Sequence, residues 1–261
     1  MTDPESTQHN AVPPLVGCYN FRDLGGHKSS SGGVIRSGHI FRSGNLASAT
    51  LNDVRHLQDL GIAAVCDFRS GPEHAARPNQ WIIETDIDYW RWGDSISVGD
   101  SIALLRECSF SEQKTLERMK EVYRQIPYEQ ADSFRELFQR LGKGKTPLIF
   151  HCAAGKDRTG VAAALLLSML EIHRSDIFDD FLETNRFFDR IYEGFLSDPR
   201  HSELTSQTEQ PWLRMLKAEP AYLESMFEQI ENEHGGVLRY LEDVAGVTPE
   251  ARLKIHENLL D

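Results

Sequence analysis

Apolar residues along the chain follow two patterns, one with helical spacing and one of short continuous runs. Thr50 and Asp53 form a capping-box pattern at the start of one helical stretch, which Gly61 ends and whose apolar positions are Leu51, Val54, Leu57 and Leu60. Residues 62–66 and 148–151 are apolar runs with the length of buried strands. We therefore predict a helix that leads into one buried strand, and a second buried strand much later.

The second half of the chain has mostly helical periodicity. Apolar positions predict one helix that ends at Pro127 and another that ends at Gly142. A helix over residues 161–170, apolar except for Ser168, follows the second buried strand, and helical spacing continues over residues 175–195. Thr248 has the position of an N-cap for the last helix. The C-terminal third is therefore predicted to be helical throughout.

The alternation of helices and strands is typical of an α/β fold. We predict a three-layer sandwich in which helices flank a mainly parallel central sheet. Residues 1–14 are polar and contain three prolines, which predicts a flexible arm. No repeat or linker divides residues 15–261, so we interpret them as a single domain. Residues 94–110 show weak periodicity and are a candidate lid over a site.

Charge and cysteine content narrow the possible functions. The 261 residues include 28 basic and 40 acidic side chains, a formal charge of −12 at pH 7 without a basic run, which argues against a nucleic-acid partner. The four cysteines lie far apart and form no CxxC pair, so neither a disulfide framework nor a structural metal site is indicated. A reducing compartment fits this pattern best.

The sequence carries no pattern of a membrane segment or secretory signal. Residues 1–10 lack a basic region and an apolar stretch, and the longest apolar run, residues 161–167, is far shorter than the roughly 20 residues of a membrane span. We therefore expect a cytoplasmic protein. Export without a signal peptide and the oligomeric state stay open at this point.

The feature that carries chemistry lies between the second predicted strand and the apolar helix. Cys152 and Arg158 stand six positions apart, and between them are Ala153, Ala154, Gly155, Lys156 and Asp157. Backbone amides and a helix N-terminus in such a turn attract one tetrahedral oxyanion, and Arg158 offers two of its oxygens a planar fork. These dipoles are expected to stabilise negative charge on the Cys152 sulfur. We predict a cysteine nucleophile at a phosphate site that needs no metal or cofactor.

A non-catalytic alternative is that Cys152 is an inert buried cysteine at the end of a strand. The joint occurrence of His151 before it, Arg158 and Thr159 after it, and apolar elements on both sides favours the catalytic interpretation. The small residues 153–155 keep the loop slim where backbone must approach phosphate. We expect the Thr159 hydroxyl to hydrogen-bond the Cys152 sulfur when a cysteinyl-phosphate breaks down.

The stretch HCAAGKDRTG, residues 151–160, resembles the phosphate-binding loop of cysteine-dependent protein tyrosine phosphatases, and its GKDR form is similar to the bacterial and fungal tyrosine phosphatase family 3. Other segments similar to signatures of that branch occur in its usual order: NFRDLGG at 20–26, FRSG at 41–44, DFR at 67–69 with Glu73 after it, and Tyr123. The resemblance covers residues 14–183 well and the C-terminal helices loosely. It implies a tyrosine phosphatase-like fold and dual specificity, which in several members extends to phosphoinositides.

The general acid has two candidates, because the chain lacks the Trp-Pro-Asp tripeptide from which better-known tyrosine phosphatases protonate the leaving group. Asp157 stands one residue before Arg158 and is favoured by the pattern of the branch. Asp94, in Trp92-Gly93-Asp94, is the alternative. Its non-catalytic interpretation is a solvated loop carboxylate.

Other charged residues near the motif have weaker assignments. Lys156 either faces a second anionic group of the substrate or raises the local positive potential, and His151 is interpreted as a supporting donor that tunes the thiolate. Asp67 and Arg69 end the first buried strand, where ligands bind in open α/β sheets, but we favour a buried ion pair that fixes the neighbouring loop. Residues 22–23, Arg-Asp before two glycines, are interpreted as a turn-locking pair.

These assignments predict a phosphomonoester hydrolase with a cysteinyl-phosphate intermediate and phosphotyrosine or other phosphoprotein substrates. A phosphoinositide phosphatase is the alternative within enzymes. A catalytically silent phosphopeptide-binding module is the alternative outside them, and it is weakened by the presence of both Cys152 and Arg158.

Overall fold

A five-stranded sheet organises the part of the chain that the computed structural model describes, residues 14–83, 85–93, 111–197 and 211–261. Its strands are β1 (Arg22–Asp23), β2 (Ile40–Ser43), β3 (Ala64–Asp67), β4 (Asp88–Arg91) and β5 (Leu148–His151). Their order across the sheet is β1-β2-β5-β3-β4. β1 pairs antiparallel with β2, and the other three pairings are parallel. The predicted mainly parallel sheet is confirmed.

Helices surround the sheet and fill the C-terminal part of the chain. They are α1 (Leu51–Asp59), α2 (Gly71–Ala76), α3 (Gln80–Ile83), α4 (Glu112–Glu129), α5 (Ala131–Gly142), α6 (Asp157–Met169), α7 (Arg174–Glu183), α8 (Phe188–Leu196), α9 (Pro220–His234), α10 (Val237–Asp243) and α11 (Pro249–Leu259). Two 3₁₀ segments, Thr184–Phe187 and Pro211–Leu216, complete them.

Each face of the sheet packs against its own helices because successive side chains of a strand point to opposite faces. Phe41, Val65 and Ile149 are neighbours in register and contribute to a core that also contains side chains of α1 and α3. The residues that precede them in β2, β3 and β5 contribute to a larger core with α4, α5, α6 and α9. The three central strands are buried on both sides, as parallel strands between helical layers are expected to be. This arrangement is the predicted three-layer sandwich.

Local sequence signals explain the ends of several elements. Thr50 accepts a hydrogen bond from the amide of Asp53 at 3.1 Å while the Asp53 carboxylate accepts one from the amide of Thr50 at 2.8 Å, so the predicted capping box starts α1. Gly61, with φ of +67°, follows the helix. The Thr248 side chain caps α11 as predicted.

Two predicted boundaries were wrong. α4 continues through Pro127 to Glu129, although proline lacks the N–H for one helical hydrogen bond. The amide of Gln130 still donates to the Ile126 carbonyl at 2.9 Å, and the Pro127 carbonyl accepts a hydrogen bond from the Tyr240 hydroxyl. β3 starts at Ala64 rather than at residue 62 and includes Asp67. The predicted helical spacing over residues 175–195 is confirmed, and it covers α7 and α8, which a 3₁₀ turn separates.

Two regions with a predicted role lie outside the described residues. They are the N-terminal arm up to residue 13 and the candidate lid, residues 94–110. Within the described ranges, no helix combines the length and the apolar character needed to cross a membrane.

Candidate active site

The candidate site lies where the three central strands end. Ser43, Asp67 and His151 are the last residues of β2, β3 and β5 and stand side by side in register. Cys152 follows β5 directly and is 1% exposed, and α6 begins five residues later with Asp157. The predicted strand-to-helix turn therefore forms at the carboxyl edge of the sheet, the edge at which ligands bind in open α/β folds.

The carbonyl groups of the loop are held on its outer side. The Ala153 carbonyl oxygen accepts a hydrogen bond from the amide of Asn45 at 2.9 Å. The Ala154 carbonyl oxygen accepts one from Asn20 Nδ2 at 3.1 Å. The Gly155 carbonyl oxygen accepts from Asn20 Nδ2 and from Arg42 Nη2, both at 2.8 Å. In a trans peptide the N–H points away from the C=O, so the amides that follow these carbonyls face the inner side of the loop. No amide of residues 153–159 donates to another described residue. The loop therefore presents a set of free donors to an anion.

Gly155 allows this loop to lie against β2. Its φ is +68°, and a Cβ built there would lie 2.5 Å from the carbonyl oxygen of Ser43 and 2.6 Å from the amide nitrogen of Gly44. Backbone atoms cannot move away as a flexible side chain would, so any larger residue must displace the loop. The predicted need for small residues is therefore strongest at this position.

Arg158, in the first turn of α6, is held by Glu73 in α2. Nη1 and Nη2 of Arg158 donate to the two Glu73 oxygens at 2.6 and 2.8 Å, and Nη1 also donates to the carbonyl oxygen of Phe68 at 3.0 Å. A guanidinium has five N–H donors in a fixed plane. Three are used, which leaves Nε and the second N–H of Nη2 as a two-pronged fork without a partner among the described residues. This fork matches two oxygens of a phosphate group.

Charge pairing stabilises both groups in their ionised forms. Burial alone would raise the pKa of Glu73, but the attraction of Arg158 and the hydrogen bonds from Arg158 and Ser70 lower it to about 2. Burial opposes the charged form of Arg158, but the Glu73 carboxylate outweighs it and raises the guanidinium pKa above its usual value. The fork is therefore cationic at every pH at which the protein is folded.

Asp157 is the first residue of α6 and is partly exposed, with 31% of its side chain accessible. The Tyr123 hydroxyl donates to its Oδ1 at 2.8 Å, and Lys156 Nζ lies 3.1 Å from the same oxygen. The Asp157 Oδ2 atom accepts no hydrogen bond from another described residue. One oxygen thus fixes the carboxyl group while the other is available. The alternative acid, Asp94, lies outside the described residues.

Lys156 has a buried ammonium group that is bound from the protein side. Only 2% of the residue is exposed, and Nζ donates to the carbonyl oxygen of Met215 and, at 3.3 Å, to that of Lys217. It also lies 5.8 Å from the centre of the Tyr222 ring. Of the two interpretations from sequence, these contacts favour a contribution to local potential and to loop position over direct contact with a second anionic group.

His151, Asp67 and Arg69 form a buried polar network beneath the loop. Arg69 and Asp67 are 1% exposed or less and pair at 2.6 Å, which is the ion pair that the sequence analysis favoured. His151 Nδ1 lies 3.2 Å from the Cys152 carbonyl oxygen, and its Nε2 lies 3.2 Å from Asn79 Nδ2 and 3.7 Å from Asp67. Burial lowers the pKa of His151 to about 4, so the ring is neutral at pH 7. His151 therefore contacts the backbone of Cys152, the predicted nucleophile.

Arg22 does not form the predicted turn-locking pair with its neighbour. Its Nε binds Asp180 of α7 at 2.7 Å, and Arg42, which is completely buried, binds the other oxygen of the same carboxylate. Asp23 alone fixes the turn, because its carboxylate accepts from the amides of Gly25 at 2.8 Å and Gly38 at 2.6 Å. Arg22 therefore pairs with Asp180, which is distant in sequence, and not with its neighbour Asp23.

Thr159 lies behind the loop, and its fully buried hydroxyl has no hydrogen-bond partner among the described residues. The predicted bond to the Cys152 sulfur belongs to a later step of the reaction and stays a prediction.

Sequence reasoning did not assign roles to Glu73, Tyr123 and Asp180. Glu73 and Tyr123 belong to segments of the family pattern, and that position in the pattern is the signal that identifies them. Asp180 sits in an ordinary amphipathic helix, and nothing near it in sequence indicates that it binds Arg22 and Arg42.

Comparison with known proteins agrees with this geometry. A protein of Cupriavidus necator provisionally named a tyrosine-protein phosphatase is 32% identical over 234 residues, which are 87% of this chain and 82% of the relative. The triple specificity protein phosphatase of Mycobacterium tuberculosis is 26% identical over 268 residues, 91% of this chain and 95% of the relative. A tyrosine-protein phosphatase of Nostoc commune is 28% identical over 145 residues, 54% of this chain and 46% of the relative.

A match to a family profile extends over nearly the whole chain and includes every residue of the site described above. It runs over residues 13–261, from the segment before β1 to the end of α11. The profile is that of the tyrosine phosphatase family. With a relative at 32% identity along most of both chains, this match shows that the chain belongs to the tyrosine phosphatase family and is a protein tyrosine phosphatase.

Proposed function

We propose that this phosphatase works through a cysteinyl-phosphate on Cys152, with Arg158 and the loop amides as the phosphate site. The observation that carries the proposal is that the nearly buried Cys152 thiol lies beside backbone amides that have no partner among the described residues. Next to them, Glu73 binds the Arg158 guanidinium and leaves two of its N–H donors available to a phosphate. Such donors stabilise negative charge that moves during phosphoryl transfer.

The reaction has two steps. In the first, the Cys152 thiolate forms an S–P bond while the P–O bond to the substrate breaks, and the Asp157 carboxyl group gives its proton to the departing oxygen. In the second, water attacks phosphorus, loses a proton to the Asp157 carboxylate, and the S–P bond breaks to restore the thiolate. The Thr159 hydroxyl is proposed to donate a hydrogen bond to the sulfur as that bond breaks, and it keeps its proton.

Hydrolysis of 4-nitrophenyl phosphate with EDTA present tests the activity, and an acid quench during turnover tests the intermediate. We expect a phosphoryl group on the peptide that contains Cys152. Turnover without such an adduct in the pre-steady state would contradict the covalent route, and absence of turnover would favour the phosphopeptide-binding alternative.

Asp157 is proposed as the general acid because its carboxyl group is partly exposed beside Arg158 and keeps one oxygen without a partner among the described residues. General acid catalysis is worth about 10²–10⁴-fold and matters more for a poor leaving group. We therefore expect Asp157→Asn to reduce hydrolysis of phenyl phosphate much more than that of 4-nitrophenyl phosphate. Asp94→Asn is the matched control and is expected to change either rate little. The reverse pattern would assign the role to Asp94.

The substrate range is proposed to include phosphotyrosine and other phosphoprotein side chains, because one relative is named a triple specificity protein phosphatase. Lys156 binds backbone carbonyls in the structure, which argues for a similar contribution to all phosphate esters. We expect Lys156→Ala to lower kcat/KM for a phosphotyrosine peptide and for a soluble short-chain phosphoinositide by similar factors. A loss confined to the phosphoinositide would instead place the ammonium against a second phosphate group.

A reducing, cytoplasmic location is part of the proposal. Cys18, Cys66 and Cys152 are all free and buried, and a nucleophilic thiolate must stay reduced to act.

A further inference from the structure

Two exposed arginines lie beside the catalytic loop and carry no acidic partner among the described residues. Arg77 directly follows α2, and Arg190 is on α8. The other arginines of the site are paired, since Arg158 binds Glu73 and Arg69 binds Asp67. An unpaired guanidinium at the surface is available for an anion from outside the protein.

Tyr19 connects Arg190 to the catalytic loop. Its hydroxyl lies 3.5 Å from the carbonyl oxygen of Ala153, the residue after the nucleophile. The guanidinium carbon of Arg190 lies 5.7 Å from the centre of the Tyr19 ring. Arg190 also donates to the backbone carbonyls of Cys18 and Val16, at 3.4 and 2.8 Å, which fixes it beside the ring.

Arg77 approaches the same tyrosine from the end of α8. Its Nη2 donates to Ser197 Oγ at 3.1 Å, and Ser197 Oγ donates to the carbonyl of Gly194 at 2.9 Å. A Cβ built on Gly194 would lie 3.3 Å from the Tyr19 hydroxyl oxygen, so this turn of helix passes directly by Tyr19. Both arginines therefore belong to one surface next to the loop.

The electrostatics of Tyr19 agree with this placement. Burial and the nearby Cys152 raise the pKa of its hydroxyl to about 12, while Arg77 and Arg190 act in the opposite direction. The positive potential of both guanidinium groups thus reaches the residue that contacts the loop.

Local cations matter because the whole chain repels acidic substrates. Its formal charge is −12 at pH 7. An acidic peptide that approaches the pocket needs a compensating local field, which decays over about 10 Å at 0.1 M salt. The two arginines supply that field beside Tyr19, whose hydroxyl contacts the residue directly after Cys152.

We infer that Arg77 and Arg190 form a substrate-recognition surface that selects phosphopeptides with acidic side chains next to the phosphorylated residue. The inference rests on the proposed function, because it assigns a specificity to the same pocket. Neither arginine belongs to the phosphate site itself.

Two phosphotyrosine peptides test it, identical except for Glu or Gln on both sides of the phosphotyrosine. We expect the wild-type protein to prefer the Glu peptide in kcat/KM by about five- to tenfold, the size that two exposed charge pairs allow. Arg77→Gln and Arg190→Gln are each expected to reduce this preference by about two- to fivefold, and the double variant to abolish it. Turnover of 4-nitrophenyl phosphate should stay unchanged, and added salt should weaken the wild-type preference.

Control variants distinguish the effect of the arginine charges from a structural role of the same side chains. Arg190→Lys keeps the positive charge and is expected to keep most of the preference, whereas a merely structural role for Arg190 would not be rescued in this way. Arg77→Gln leaves the Arg77 backbone carbonyl, which Arg69 Nη1 binds at 2.6 Å. Lys254→Gln removes an exposed charge from α11 and is expected to change nothing.

The outcomes distinguish this inference from the function on which it rests. Normal hydrolysis of 4-nitrophenyl phosphate without any preference for the Glu peptide would overturn the recognition surface and leave the proposed function intact. If the Arg77 and Arg190 variants lost turnover of a soluble phosphoinositide but kept the preference for the Glu peptide, the recognition surface would also be overturned. That result would favour an inositol phosphate as the ligand of the two arginines. No hydrolysis of any ester would instead contradict the function itself.

Discussion

Replacement of Cys152 by serine is expected to reduce turnover of 4-nitrophenyl phosphate by at least about 10⁴-fold, in the range seen when a catalytic nucleophile is removed. A serine hydroxyl is far less acidic than a thiol, so the loop amides and the N-terminus of α6 cannot supply an ionised oxygen near neutral pH. Steady-state kinetics measure the loss. Far-UV circular dichroism and the Tm should match the parent, because the two side chains are almost the same size.

Cys66 provides a matched control. It is also fully buried and lies in β3, the neighbouring strand, where burial raises the pKa of its thiol to about 12. Cys66→Ala is expected to lower stability modestly and to keep kcat. If the Cys152 variant retained activity within about tenfold of the parent, Cys152 would have no covalent role.

Replacement of Arg158 by lysine is expected to lower kcat/KM by at least about a hundredfold, the usual cost of removing a donor that stabilises transition-state charge. Lysine keeps the positive charge but has no planar fork, and the carboxylate of Glu73 would bind the ammonium as a point charge. The two free donors directed at phosphate would therefore be lost. Competition with inorganic phosphate should show weaker binding in parallel.

The Glu73→Gln variant tests how much of the Arg158 contribution depends on its ion pair with Glu73 and how much on the orientation of the guanidinium. The amide keeps one acceptor oxygen for Arg158 and loses the ion pair, so we expect a smaller loss than for Arg158→Lys. Unchanged kcat/KM in Arg158→Lys would contradict the whole assignment of residues 152–158 as the phosphate site, whatever Glu73→Gln does.

Strands β3 and β5 and the turn after β5 were predictable because their signals are local, whereas β1, β2 and β4 were not predicted. β5 is a continuous apolar run with the length of a buried strand, and its observed bounds agree with the prediction. Cys152 and Arg158 lie within one short segment, so their spacing alone brings them to the same turn. Pro127 was misjudged because a contact that supports the helix beyond it, the Tyr240 hydroxyl on its carbonyl, comes from a residue far along the chain.

Side-chain direction was not predictable where the partner is distant in sequence. Lys156 could face the substrate or the protein, and the choice depends on the carbonyl of Met215, which belongs to a segment that comes much later. Arg22 likewise binds Asp180 although Asp23 is its neighbour. Such pairs depend on how α7 packs on the sheet, and no pattern within either segment encodes that packing.

The support of the loop by Asp180 has a consequence for biosynthesis. Arg42 holds the Gly155 carbonyl outward and is itself held by Asp180, while Lys156 is held by Met215. Both supporting segments are synthesised after Cys152. A nascent chain that has released Cys152 but not yet α7 lacks the ion pair that fixes the outer side of the loop. Phosphatase activity is therefore expected to appear only late in synthesis, so that incomplete chains do not act on phosphoproteins near the ribosome.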